Sequence, residues 1–201
     1  MSGILEYTTI FLFITLIFAK LLINVKHGKF IACICSSCVT FIPLGQLSTA
    51  QYILSIHPTF SFTSCAMIFM LLLRQFTGKY FISSREMKYF VRWNVVLGIV
   101  LYLSSFALLP FDMYFYGFFF SSWFVFFCIV NILCAIANLH TLFYVLLGCV
   151  LCFIAQCGYS RNYFDYLIDP LLFFSCVFIL VKNNIILIRK SNNVSRKELV
   201  G

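Results

Sequence analysis

Apolar runs follow one another along almost the whole chain, separated by short polar interruptions. The first extends from the N-terminal residues to Ile23, and others cover Phe30–Leu44, Phe60–Leu73, Trp93–Leu109, Phe118–Ile136 and Thr141–Cys157. A last run begins at Leu171, passes Val181, and is completed by Ile185–Ile188 with Lys182 snorkelling, or else that final piece lies along an interface. Most approach the roughly 20 residues that a helix needs to cross a bilayer core, while Phe30–Leu44 is only about 15 residues and Phe60–Leu73 shorter still. The pattern predicts an all-α fold, a polytopic transmembrane bundle of seven spans in one domain over residues 1–188, followed by a polar, mobile tail over 189–201.

The interruptions differ in kind. Gly45–Thr59 has no charge but many hydroxyls and amides; the preferred reading extends both flanking helices into it, with His57-Pro58 opening the third span, and a re-entrant segment is the alternative. Arg74–Trp93 is the main basic loop, read as a solvated topology anchor, with a short amphipathic helix over Arg85–Trp93 as the alternative. Pro110–Gly117 reads as a turn with tyrosines suited to the headgroup layer. Ala137–His140 is a tight connection, and Asp169-Pro170 is the signature of a helix start, an acidic cap followed by proline at the first helical position.

Composition excludes a soluble domain. Of 201 residues 63% are apolar and 10% charged, and the mean hydropathy is +1.02, too little charge to cover a water-facing surface. The net charge of +8 does not imply nucleic acid, because the basic residues are dispersed at the ends of apolar runs. It is instead a topology signal. With the N-terminus outside, all of the 14 lysines and arginines except Arg161 fall on the inner side or its boundary. The charge distribution predicts a cytoplasmic C-terminus. The first run lacks the preceding positive charge and following cleavage site of a secretory signal, so it reads as a retained helix.

The ten cysteines sit almost entirely within apolar runs and read as small buried hydrophobes. Cys33-x-Cys-x-x-Cys38 has no neighbouring histidine or second cysteine pair, and neither a metal nor a cofactor is expected. Asn94, Asn131 and Asn138, the most polar residues within or beside the spans, are expected to hydrogen-bond between helices.

Chemistry concentrates on the predicted outer face, at Glu6, His57, Asp112, Arg161, Asp165, Asp169 and the tyrosines around them. Carboxylates and an imidazole near a membrane surface can act as acid or base or orient a charged headgroup. His57, Asp112 and Asp165 are the catalytic candidates; Arg161, Asp165, Asp169, Tyr114 and Tyr163 are the binding candidates. Each also has a structural reading: Asp112 stabilising its turn, Asp169 capping, His57 serving as a turn residue, and Arg161 pairing with Asp165 or Asp169 to brace the last helix. Hydrolase, metalloprotease and nucleotide-binding signatures are missing from the sequence.

The pairing of Pro110-Phe-Asp-x-Tyr114 with Asn162-x-x-Asp-Tyr-x-x-Asp-Pro170 resembles a pattern in small, uncharacterised bacterial inner-membrane proteins. The resemblance covers roughly the C-terminal half and implies a multi-pass protein of a bacterial cytoplasmic (inner) membrane without implying an activity. The expected function is a non-enzymatic accessory, assembly or immunity-type factor whose acidic, aromatic outer loops engage another membrane protein or a peptide, in contact with membrane lipid. A small intramembrane enzyme acting on a lipid or lipid-linked group at the outer leaflet, with His57 as base, Asp112 or Asp165 orienting it and Arg161 holding a phosphate, is the alternative. A transporter ranks third, since no polar path or internal repeat is visible.

Overall fold

A computed structural model describes the backbone of residues 3–198 and the side chains of residues 3–119 and 125–186. The chain is all-helical apart from a minimal hairpin. Helix α1 spans Ile4–Leu21, α2 Gly28–Phe41, α3 Thr49–Ile56, α4 Phe62–Thr77, α5 Ser84–Ser105, α6 Phe120–Ile136, α7 His140–Ile154, α8 Phe164–Leu167 and α9 Pro170–Glu198. By length and composition α1 alone, among the described residues, is long and apolar enough to cross a membrane by itself; the apolar portions of α2, α4, α6, α7 and α9 are shorter.

Local chemistry sets the helix ends. Ser48 and Gln51 form a reciprocal capping box at α3, and Ser83 and Glu86 form another at α5. The Ser61 hydroxyl accepts from Ser64 N–H at the start of α4, which ends on Gly78 in the left-handed region, φ 72°. Asn138 adopts φ 55° in the tight connection between α6 and α7.

Several boundaries depart from the expectation. Residues 45–59 are an extension of neither neighbour. Pro43–Leu44 pairs antiparallel with Leu47–Ser48, and α3 follows as a separate helix packed on α1 and α2. Proline at 43 and the positive φ of Gly45 stop α2, while the capping box starts α3 afresh. The basic loop is shorter than expected, because its second half is helical: residues 84–93 are the first turns of α5 rather than a solvated loop or a separate amphipathic helix. Helix α9 continues to Glu198 instead of ending near Ile188; residues 199–201 of the expected tail lie outside the described residues.

Packing runs α2–α1–α4–α7–α6, with α5 joined to α9 and α7. Gly98 lets α5 and α9 approach, since a Cβ there would overlap the Phe173 ring. One main core contains Phe90, Leu101, Leu142, Cys149, Phe164 and Leu172, and two smaller clusters lie beside α1. Outward-facing apolar side chains occur on every long helix, among them Phe13, Ile34, Phe69, Ile99, Ile132, Leu151 and Phe178.

Polar side chains, by contrast, are found inside. Thr9, Thr15 and Ser36 donate to the carbonyl four residues back in their own helices. Asn94 and Asn131 do the same, to Phe90 O and Phe127 O, each at 2.9 Å. The expected interhelical bonds of these two asparagines are therefore replaced by intrahelical ones, the nearest carbonyl available to a short amide on a helix.

Charges segregate to opposite ends. One end carries Lys20, Lys26 and Lys29, Arg74 and Lys79, and the basic first turns of α5; the other carries Glu6, Asp112, Asp165 and Asp169 with Arg161. At the basic end Lys29 Nζ donates to Phe76 O at the end of α4, 2.6 Å away, and Arg74 both hydrogen-bonds Tyr80 Oη at 2.7 Å and stacks over its ring. Glu86 joins helices there, its Oε1 accepting Thr141 N–H at 2.8 Å at the start of α7.

Candidate functional site

The acidic end is a cap built from the segment between α7 and α9, the turn at 110–119, and the first residues of α1 and α4. Asp169 anchors it. Its Oδ1 accepts Leu172 N–H at 2.8 Å, the helix-capping bond that the sequence predicts. Its Oδ2 accepts Ser61 N–H at 3.0 Å, Ser61 Oγ at 2.8 Å and the Ser64 hydroxyl. One buried carboxylate thus closes the N-termini of α4 and α9 together, with its charge met by four donors and, on the α9 side, by the helix dipole.

Asp165 is held by neutral hydroxyls. Tyr114 Oη lies 3.0 and 2.9 Å from its two oxygens, and the Ser160 hydroxyl donates to Oδ2. Burial raises the Asp165 carboxyl above its ordinary range, and these two hydroxyls partly oppose the rise. Burial, with the Asp165 charge beside it, also raises the Tyr114 phenol.

Asn162 joins these parts. Its amide donates to Tyr114 O at 2.8 Å and its Oδ1 accepts Phe164 N–H at 2.9 Å. The fit requires Gly117, where a Cβ would overlap Asn162 Oδ1, and the Tyr163 N–H donates to Gly117 O at 3.1 Å.

Glu6 enters the same cap from α1. Its Oε1 accepts Tyr159 N–H at 2.8 Å, and its Oε2 is buried with no hydrogen-bond partner among the described residues. Glu6 and Asp165 line one narrow crevice with Ser160 and Tyr166. Tyr166 Oη closes the crevice, accepting Gly158 N–H and donating to Ser160 O, each at 3.1 Å.

The remaining candidates are distributed differently. Asp112 is exposed and accepts Phe115 N–H at 3.1 Å, its turn-stabilising reading. His57 ends α3, stacks edge-on against Phe60 with centroids 4.7 Å apart, and has Nε2 buried without a partner. It makes no hydrogen bond to Asp112, Asp165 or Asp169, so the three catalytic candidates do not form a hydrogen-bonded unit. Tyr163, expected on a binding face, is 1% exposed and packs against Phe127 and Phe153; its ring is worth more to the apolar core than to solvent.

Arg161 departs most from expectation. It is exposed and forms no ion pair or hydrogen bond with Asp165 or Asp169. Both carboxylates are already saturated by donors that carry no desolvation cost of their own charge, so bringing a guanidinium out of water gains little. Sequence reasoning missed Ser61, Ser64 and Ser160, and gave Asn162 no role beyond its place in a motif. Ser61-x-x-Ser64 ahead of an apolar run has the spacing of a capped helix start, but nothing local couples it to residue 169.

Beside Arg161 the cap exposes Tyr159 and the aromatic turn of Phe111, Phe115, Tyr116, Phe118 and Phe119. The arrangement is a hydrogen-bonded platform with Glu6, Asp165 and Asp169 turned inward and a cation and aromatics turned outward. Compared with known protein families, curated proteins and solved structures, the chain matches none.

Proposed function

We propose that the chain is a multi-pass protein of a bacterial cytoplasmic membrane, crossing it seven times with the acidic cap outside and the basic end in the cytoplasm. Two features support the membrane reading: apolar side chains point outward on all seven long helices while Thr9, Thr15, Ser36 and Asn94 are buried and bonded to carbonyls of their own helices, and basic residues collect at one end. Helices shorter than a full bilayer core are accommodated by local thinning and snorkelling lysines.

Its role is that of a non-enzymatic accessory, assembly or immunity-type factor that engages a protein or peptide through the cap. The observation that carries this is the division of labour there. Asp165 and Asp169 are consumed in bracing the loop, while Arg161 and the aromatic turn are exposed at its surface, in position for recognition. Arginine and aromatics on a rigid support are the residue types that dominate protein interfaces.

Photo-crosslinking in intact cells tests the proposal, with a benzoylphenylalanine placed at Tyr159, Phe115 or Ile132. A discrete protein adduct from the first two positions, missing at the outward-facing Ile132, is the expected result. Adducts of equal yield at all three, or lipid adducts alone, would remove the partner-binding reading.

A further inference from the structure

Between the first half of α5, the second half of α6 and the start of α7 lies an apolar cavity of about 300 Å³, at the lower end of the size range of small-ligand pockets. Its apolar lining comes from Val96, Val130, Cys134, Leu139, Leu142 and Leu146; the three leucines are buried and Val96 stands open to the outside. The polar residues of its lining are on α5 alone: Tyr89, Arg92 and Trp93. Arg92 is exposed and has no hydrogen-bond or ion-pair partner among the described residues. Lys88, one turn earlier, is exposed too, and Arg85 lies over the Tyr89 ring at 5.8 Å.

A slot with hydrocarbon walls and a cationic, aromatic mouth matches an amphiphile with an apolar tail and an anionic head. We infer that this cavity is a binding site for one acyl chain of an anionic phospholipid of the inner leaflet, with Arg92 engaging the phosphate. The inference rests on the membrane orientation proposed above, which places this basic end among the anionic lipids of the cytoplasmic face. Charge complementarity selects the occupant: Arg92 lines the cavity, with the exposed Lys88 one helical turn away on α5, and no carboxylate lines the cavity. The guanidinium can hold a phosphate through two N–H donors, and Tyr89 and Trp93 suit the headgroup boundary. The lipid-exposed position of Val96 gives a tail lateral entry.

The test uses the full chain, purified from membranes in detergent and stripped of lipid. Binding of phosphatidylglycerol, phosphatidylcholine and inorganic phosphate is followed by native mass spectrometry and by thermal unfolding. The expected result is one tightly held phosphatidylglycerol that raises the unfolding temperature, with little response to phosphatidylcholine or to phosphate alone. Val96→Trp, at an outward position that tolerates bulk, should occlude the slot and abolish the response; Arg92→Gln should weaken it about tenfold, the worth of one charged hydrogen bond. Equal binding of phosphatidylglycerol by both variants, equal binding of phosphatidylcholine by the wild type, or a change of oligomeric state in Val96→Trp, which would mark a second copy as the occupant, each overturns the inference. Membrane fractionation separates the two levels. A chain that does not sediment with membranes refutes the membrane reading, whereas a membrane-embedded chain with no lipid response refutes the lipid site alone.

Discussion

Asp169 and Ser61 are 108 positions apart, yet Ser61 gives both its backbone N–H, at 3.0 Å, and its hydroxyl, at 2.8 Å, to a single oxygen of the Asp169 carboxylate. Ser61 caps α4 and Asp169 caps α9, so this contact fixes how two helices begin beside each other. Replacing Asp169 by Ala leaves the Ser61 and Leu172 N–H groups buried without an acceptor, and should cost about 3 kcal/mol. Asp169→Asn should cost less, since an amide oxygen still accepts. Thermal unfolding in detergent measures both, and a cycle with Ser64→Ala should show coupling of at least about 0.5 kcal/mol.

Asp165 gives a prediction in pH. Its folded carboxyl is raised above the unfolded value by burial, against the opposing hydroxyls of Ser160 and Tyr114. In the window between the unfolded and folded values the native state therefore holds more protons than the unfolded chain, and this group's contribution to stability falls as pH rises through it. Relative to Asp165→Asn, which cannot ionise, the wild type should gain stability as the pH is lowered from 7 towards 4. A difference that stays flat, or changes in the opposite direction, would mean that Asp165 is more solvated than its surroundings indicate.

Glu86 at the other end should behave in the opposite sense. Burial pushes its carboxyl up, but hydrogen bonds from Ser83 and Thr141 outweigh burial and leave it below the ordinary value. Its stabilisation is then present above the unfolded value and lost as pH falls through the folded one. Ser83→Ala removes half of the capping box and should cost about 1 kcal/mol at neutral pH. The deficit of Glu86→Gln, read by the same unfolding assay, should shrink in acid.

Arg161→Gln is expected to leave stability within about 0.5 kcal/mol of wild type, as for other exposed residues without a structural partner. The same substitution should weaken the cross-link formed at the cap. Destabilisation on the scale of Asp169→Ala would show instead that the arginine braces the loop.

The contrast between these residues shows which parts of the fold could be read in advance. Runs such as 120–136 and 140–154, and the start of α9 at Asp169-Pro170, follow from local pattern and local capping. The separate helix α3 did not follow, because the Ser48–Gln51 box that starts it is as short a signal as many that lead nowhere. The cap was harder still. Proximity in sequence favours Arg161 as the partner of Asp165, yet Tyr114 and Ser160 hold that carboxylate. A charge in an enclosed space is met more cheaply by neutral hydroxyls than by a second charge, and the turn that supplies Tyr114 is brought in only by the tertiary fold.

The proposed topology puts the acidic cap and the basic end on opposite sides of a membrane. Alkaline phosphatase inserted after Ser160 and after Lys79, in otherwise intact chains expressed in bacteria, tests it directly, because the enzyme matures only outside the cytoplasm. With that topology the insertion at Ser160 is highly active and the one at Lys79 shows background activity, with both products sedimenting in the membrane fraction. Activity at Lys79 with none at Ser160, equal activity at both, or recovery of the chains in the soluble fraction would contradict it.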